Sequence, residues 1–132
     1  MRRIALSFLK KWGGKQNRRP LLLRGARQVG KTWLVREYGK SFHSFTEVNL
    51  EAQPELHAVF KANYGNPAQL ISELSLLTGT RIVPKQSLLF IDEIQGCKES
   101  LLSLRYLKEK LPDLHVIAAG SLLEFTIREL SF

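Results

Sequence analysis

A chain of 132 residues with 44% hydrophobic and 24% charged residues is long enough to bury a core and too apolar to be a disordered tail. A single cysteine, Cys97, excludes an internal disulfide and a multi-cysteine zinc site, and His43, His57 and His115 lie too far apart in sequence to suggest a metal cluster. The net charge of +8 is uneven: residues 1–40 hold 12 Lys/Arg against one acid, Glu37, whereas residues 41–132 hold 8 against 11 acids.

No apolar run approaches the roughly 20 residues that span a bilayer, and a lone cysteine suits a reducing, cytoplasmic setting. The first segment, "RRIALSFLKKW", puts Ile4, Ala5, Phe8, Leu9 and Trp12 on one helical face with bases opposite. A transit peptide or membrane-surface helix shares that pattern, but serine is scarce, and the spacing predicts a helix over 1–12 docked on the domain. "GGKQNRRP" reads as a loop. A short strand follows at 20–24, then "GARQVGKT" at 25–32 and a helix from Thr32 to about Lys40 with Leu34, Val35 and Tyr38 on its apolar side.

"SFTEVNL", 44–50, reads as a second strand. Two helices opened by prolines follow, one from Pro54 and one from Pro67 behind a capping Asn66, the latter with Leu70, Ile71, Leu74 and Leu77 at helical spacing and a stop near Gly79. "SLLFIDEIQ", 87–95, is a continuous apolar run ending in two acids, as expected of a strand buried on both faces. An amphipathic helix striped by Leu101, Leu104, Leu107 and Leu111, a fourth strand "LHVIAAGS" and a last short helix "LLEFTIREL" complete the chain. Strands alternating with helices predict an α/β fold with a parallel sheet, in one domain without a visible linker.

The stretch 25–32 carries the chemistry. Gly25, four residues, Gly30, Lys31 and Thr32 would arise by accident in roughly one chain of this length in a few hundred. Here the pattern stands between a strand and a helix, where it has meaning. Glycines let successive N–H groups and the helix N-terminus point at an anion. Lys31 would reach the β- and γ-phosphates, and the Thr32 hydroxyl would complete a magnesium shell. The residues from Gly25 through Ala26, Arg27, Gln28, Val29 and Gly30 to Lys31 and Thr32 are therefore the expected nucleotide cradle.

Asp92 closes the buried run, where ligands of open α/β sheets gather, and is expected to hold Mg2+ opposite Thr32. Glu93 beside it is the candidate general base for an attacking water. Ser121 follows the fourth strand and has two readings, a polar contact to the γ-phosphate and water, or a capping box with Glu124. Arg2, Arg3, Lys10, Lys11, Lys15, Arg18 and Arg19 form either a solvated basic face or a contact for nucleic acid or an acidic partner. Arg105 and the later bases read as solvated helix face.

Taken in order, "LLLRGARQVGKT", "LLFIDEIQ", "LLSLRYLKEKLPDLH" and "VIAAGSLLEF" make the chain similar to AAA-family P-loop ATPases of the prokaryotic type that carry a C-terminal domain of unknown function. The resemblance covers nearly the whole sequence. It implies a three-layer α/β/α sandwich with strand order 5-1-4-3-2, Walker A at Gly25, Gly30, Lys31 and Thr32, Walker B at Asp92 and Glu93, and a first sensor at Ser121. It also implies a truncated ATPase core, with four strands present, the final strand missing, and an incomplete C-terminus. An oligomer is compatible with this reading.

Two functions follow from the residues. One is Mg2+-dependent ATP binding with hydrolysis, Lys31, Glu93 and Ser121 serving catalysis. The other is a nucleotide-binding interaction module, or inactive fragment, that does not turn ATP over without a partner. A third, a small-molecule kinase, is disfavoured because Glu93 beside Asp92 suits water activation and no arginine-rich lid is evident.

Overall fold

The computed structural model of the chain describes residues 2–24 and 29–120. Gly25, Ala26, Arg27 and Gln28 of the expected phosphate loop, together with Ser121, Glu124 and the expected last helix, lie outside them.

Alternation along the strands builds two apolar layers, one on each face of a single sheet. Strands β1 (Leu21–Arg24), β2 (Ser44–Asn49), β3 (Ser87–Asp92) and β4 (His115–Gly120) are all parallel and lie in the order β1-β4-β3-β2. On one face Leu88 and Phe90 of β3, Ile117 and Ala119 of β4, and Leu21 and Leu23 of β1 pack under α1 (Arg2–Gly13) and α2 (Val29–Gly39). On the other, Leu89, Ile91, Val116, Ala118 and Val48 pack under α3 (His57–Asn63), α4 (Pro67–Thr78) and α5 (Lys98–Lys110). The central strands are buried on both faces, which is why β3 reads as an unbroken apolar run rather than an alternating one. The result is the three-layer α/β/α sandwich, and the four strands fall in the expected order. Among the described residues β1 is a sheet edge, and Leu21, Leu22 and Leu23 are each only half-buried.

Several boundaries depart from the sequence reading for local reasons. The helix expected from Pro54 begins as a 3-10 turn, Pro54–Leu56, because the Leu56 N–H bonds back only three residues, to Gln53 O at 3.0 Å, before α3 starts at His57. Strand β2 stops at Asn49, one residue early, where Asn49 Oδ1 accepts from the N–H groups of Glu51 and Ala52, both at 2.9 Å, and turns the chain. Helix α4 keeps its expected ends: Asn66 caps it and Gly79 leaves it at φ 72°, with its N–H on Ser75 O.

Helix α1 docks as expected but on a different stripe. Leu9 and Trp12 are buried, with Leu6 against the same layer, whereas Ile4 and Phe8 are 74% and 57% exposed. Contacts at the C-terminal end of the helix set its rotation. The Trp12 indole donates to Arg19 O at 2.8 Å and the His115 ring donates through Nε2 to Gly13 O at 2.9 Å. Ile4 and Phe8 are left lining a shallow apolar groove with Leu23 and Leu34.

Arg18, grouped above with the bases free to meet a partner, is instead half-buried and bonded within the chain. Its guanidinium donates to Gly13 O, Lys15 O, Asp113 O and His115 Nδ1 at 3.0–3.3 Å. Lys10, Lys11, Lys15 and Arg19 are exposed, and Arg105 pairs with Glu109 on the solvent face of α5.

Candidate nucleotide site

In a parallel sheet every strand points its C-terminal end to the same edge, and Asp92 lies at that edge, at the end of β3, with Glu93 directly after it. Arg24 at the end of β1 pairs with Gly120 at the end of β4, and Asn49 of β2 pairs with Asp92 of β3. The β3–β4 register pairs Ile91 with Ala118, and beyond the end of β3 it is Ile94 and Gln95 that come beside Gly120.

Helix α2 carries the last residues of the expected cradle. Gly30, Lys31 and Thr32 form its first turn, with Gly30 exposed and Lys31 and Thr32 half-buried. That turn contains no acid, so the N–H ends of the helix dipole keep their positive character. Among the described residues nothing lies within 4 Å of where a methyl group on Gly30 would stand.

Asp92 lies at the last position of β3. Strand alternation puts it on the side of Leu88 and Phe90, the face that α2 covers. Its Oδ1 accepts from the Glu93 N–H at 2.9 Å. Burial pushes the Asp92 carboxyl above its ordinary value; the Glu93 N–H opposes this, the charges of Glu93 and Glu47 add to it, and Arg36 offsets them in part. A half-buried carboxylate beside two others is a place that favours a cation.

No cluster of three or more His, Cys, Asp or Glu suited to a metal occurs among the described residues. An all-protein cage is therefore absent there. Mg2+ asks for less, since it keeps water and takes one or two protein oxygens plus phosphate oxygens, and the hydroxyl of Thr32 and the carboxylate of Asp92 are donors of that kind.

Glu93 is the strained residue of the site. It is 7% exposed and sits at φ 51°, a left-handed conformation that costs a non-glycine residue about 1–3 kcal/mol. This conformation ends β3 three residues short of the Gln95 expected from the apolar run, and opens a 3-10 turn, Ile94–Gly96, closed by the Gly96 N–H on Glu93 O at 3.0 Å. The carboxylate itself accepts from Gln95 Nε2 at 2.7 Å. Gln95 Oε1 is buried without a hydrogen-bond partner among the described residues, at a cost of roughly 1–3 kcal/mol.

A family model described as an AAA domain matches residues 17–131. The chain belongs to the AAA domain family. No curated protein and no solved structure matched it. Family membership points to nucleotide binding and ATPase chemistry as the activity class of this AAA domain, and the parallel sheet with α2 at its C-terminal edge agrees with it.

Within the AAA domain the structure brings Asp92 and Glu93 to the edge where α2 begins. It leaves Gly25 to Gln28 and Ser121 untested. No helix of the described residues is long and apolar enough to cross a membrane. Sequence reading missed Gln95 and Gly120. They are 25 residues apart and meet only because β3 and β4 are neighbours, so no local pattern announces them.

Proposed function

We propose that this AAA domain binds ATP with Mg2+ between the first turn of α2 and the C-terminal ends of β3 and β4, and hydrolyses it. The observation that carries the reading is the pair of acids at the end of β3, a half-buried carboxylate on the side of the α2 layer followed by a buried one held in a strained left-handed turn. Two surface acids at a strand end would need neither burial nor strain.

The roles follow from position. The cradle from Gly25 to Thr32 wraps the phosphates with backbone N–H groups, and Lys31 places a point charge on the β- and γ-phosphates. Thr32 and Asp92 are the residues that would hold Mg2+, which would supply positive charge against the charge developing on the phosphates. Glu93 accepts a proton from the attacking water through its carboxylate, and Ser121 contacts the γ-phosphate from the end of β4. Little covalent work is left for the protein, so catalysis rests on positioning and charge.

The test is equilibrium binding of a fluorescent ATP analogue with Mg2+, followed by phosphate release. Lys31→Ala should weaken binding by about tenfold or more, since one charge-assisted hydrogen bond is worth roughly 1.5–3 kcal/mol. Glu93→Gln should keep binding and lower turnover by about 10²–10⁴-fold, the usual contribution of a general base. Binding unchanged in Lys31→Ala would refute the cradle; equal turnover in Glu93→Gln would refute the base.

A further inference from the structure

A glutamine amide offers donors at one end and an acceptor at the other, and in Gln95 the two ends do different things. Nε2 donates to Glu93 Oε2 at 2.7 Å. This fixes which way the amide points, because the reversed amide would press a carbonyl oxygen against a carboxylate. Oε1 then faces the end of β4, in the volume that a side chain on Gly120 would occupy. A Cβ at Gly120 would collide with Gln95 Oε1 and approach Cδ to 3.2 Å, while the nearest backbone atom, Ile94 N, would stay 3.4 Å away.

Gly120 is thus a seat for the Gln95 amide, and the bare backbone at the end of β4 is what lets that amide reach Glu93. Among the described residues Oε1 has no hydrogen-bond partner, so the amide is held there by its Nε2 end alone. Its one polar contact among those described goes to the carboxylate of Glu93.

We infer that Gln95 is a positioning residue of Glu93, bonding the carboxylate from a seat on Gly120, so that the end of β4 bears on where the base stands. This rests on the reading of Glu93 as the base for ATP hydrolysis. Gln95 takes no proton and touches no phosphate; it acts by restricting the Glu93 side chain to one arrangement at the sheet edge.

The experiment is a double-mutant cycle on the full chain with Gln95→Ala, Gly120→Ala and both together, reading kcat and KM for Mg2+-ATP hydrolysis and Kd for the fluorescent analogue. Gln95→Ala should lower kcat by about tenfold, in the range a misplaced group costs, with Kd within about twofold. Gly120→Ala should lower kcat in the same way without touching Glu93 or Gln95 in sequence, because the new methyl displaces only the far end of a flexible side chain. In the Gln95→Ala background it should do nothing more, since the atom it displaces is gone.

Gly120→Ala also carries the test alone if Gln95→Ala does not fold. Unchanged or raised kcat in the single variants, or effects that multiply in the double, would overturn the role of Gln95 while leaving Glu93-dependent turnover intact. A wild-type chain that does not hydrolyse ATP, or turnover unaffected by Glu93→Gln, overturns the reading of Glu93, and the role of Gln95 falls with it.

Discussion

At the scale of single residues, His115 shows how one side chain can tie separate parts of the chain together. Its Nε2 donates to Gly13 O at the end of α1 and its Nδ1 accepts from Arg18, whose guanidinium also reaches Asp113 O. Trp12 and Phe42 flank the ring edge-on. Only the neutral ring can make both bonds, since a proton on Nδ1 would face the Arg18 cation. Burial accordingly lowers the His115 pKa from its ordinary 6.5; the Gly13 carbonyl and Asp113 oppose this, and Arg18 adds to it.

The unfolded chain therefore takes up this proton more readily than the folded one, and stability rises with pH across the window. The contribution is complete above the ordinary histidine value and is lost as pH falls below it towards the lowered folded value. Melting curves between pH 7.5 and 5.5 should show the wild type losing stability on acidification more steeply than His115→Gln, which has no such proton to bind. Parallel slopes for the two proteins would contradict the assignment.

At the scale of elements, α1 gives the sharpest comparison between pattern and packing. Helical spacing grouped Ile4, Phe8 and Leu9 on one apolar face, but a helix turns about 100° per residue and only the stripe through Leu9 and Trp12 meets the sheet. Leu9→Ala should cost about 2–5 kcal/mol, as a fully buried leucine leaves a cavity. Phe8→Ala should stay within about 0.5 kcal/mol, as a surface change. Denaturant midpoints of the two variants decide it, and equal losses would place Phe8 in an interface.

The same contrast explains what was legible. Buried strands, proline-opened helices, the Asn66 cap and the Gly79 stop depend on neighbours in sequence, so they could be read from it. The Asp92–Glu93 pair was legible because a long apolar run that ends in acids is a local pattern. The rotation of α1, the internal use of Arg18, and the Gln95–Gly120 seat depend on which strands become neighbours. The left-handed turn at Glu93 was hidden for a related reason: glutamate has no propensity for it, so no residue type in the sequence marks it.

At the scale of the whole molecule, the two apolar layers are separate in space but not in construction. Leu88 and Phe90 serve the α1–α2 layer while Leu89 and Ile91, their immediate neighbours on β3, serve the α3–α5 layer; β4 does the same with Ile117 and Ala119 against Val116 and Ala118. Neither layer can dissolve while β3 and β4 remain paired without exposing a full face of both strands to water, which costs about 25 cal/mol for each Å2 of apolar surface. The two layers should therefore unfold together.

Both tryptophans, Trp12 and Trp33, belong to α1 and α2, so their fluorescence reports one layer. Far-UV circular dichroism is carried by all five described helices, three of them on the other face. Urea unfolding followed by the two signals should give one midpoint and one slope, the signature of a two-state domain. An earlier fluorescence transition would mean that α1 and α2 peel away as a unit. The first turn of α2 would then melt before β3, which carries Asp92 and leads into Glu93.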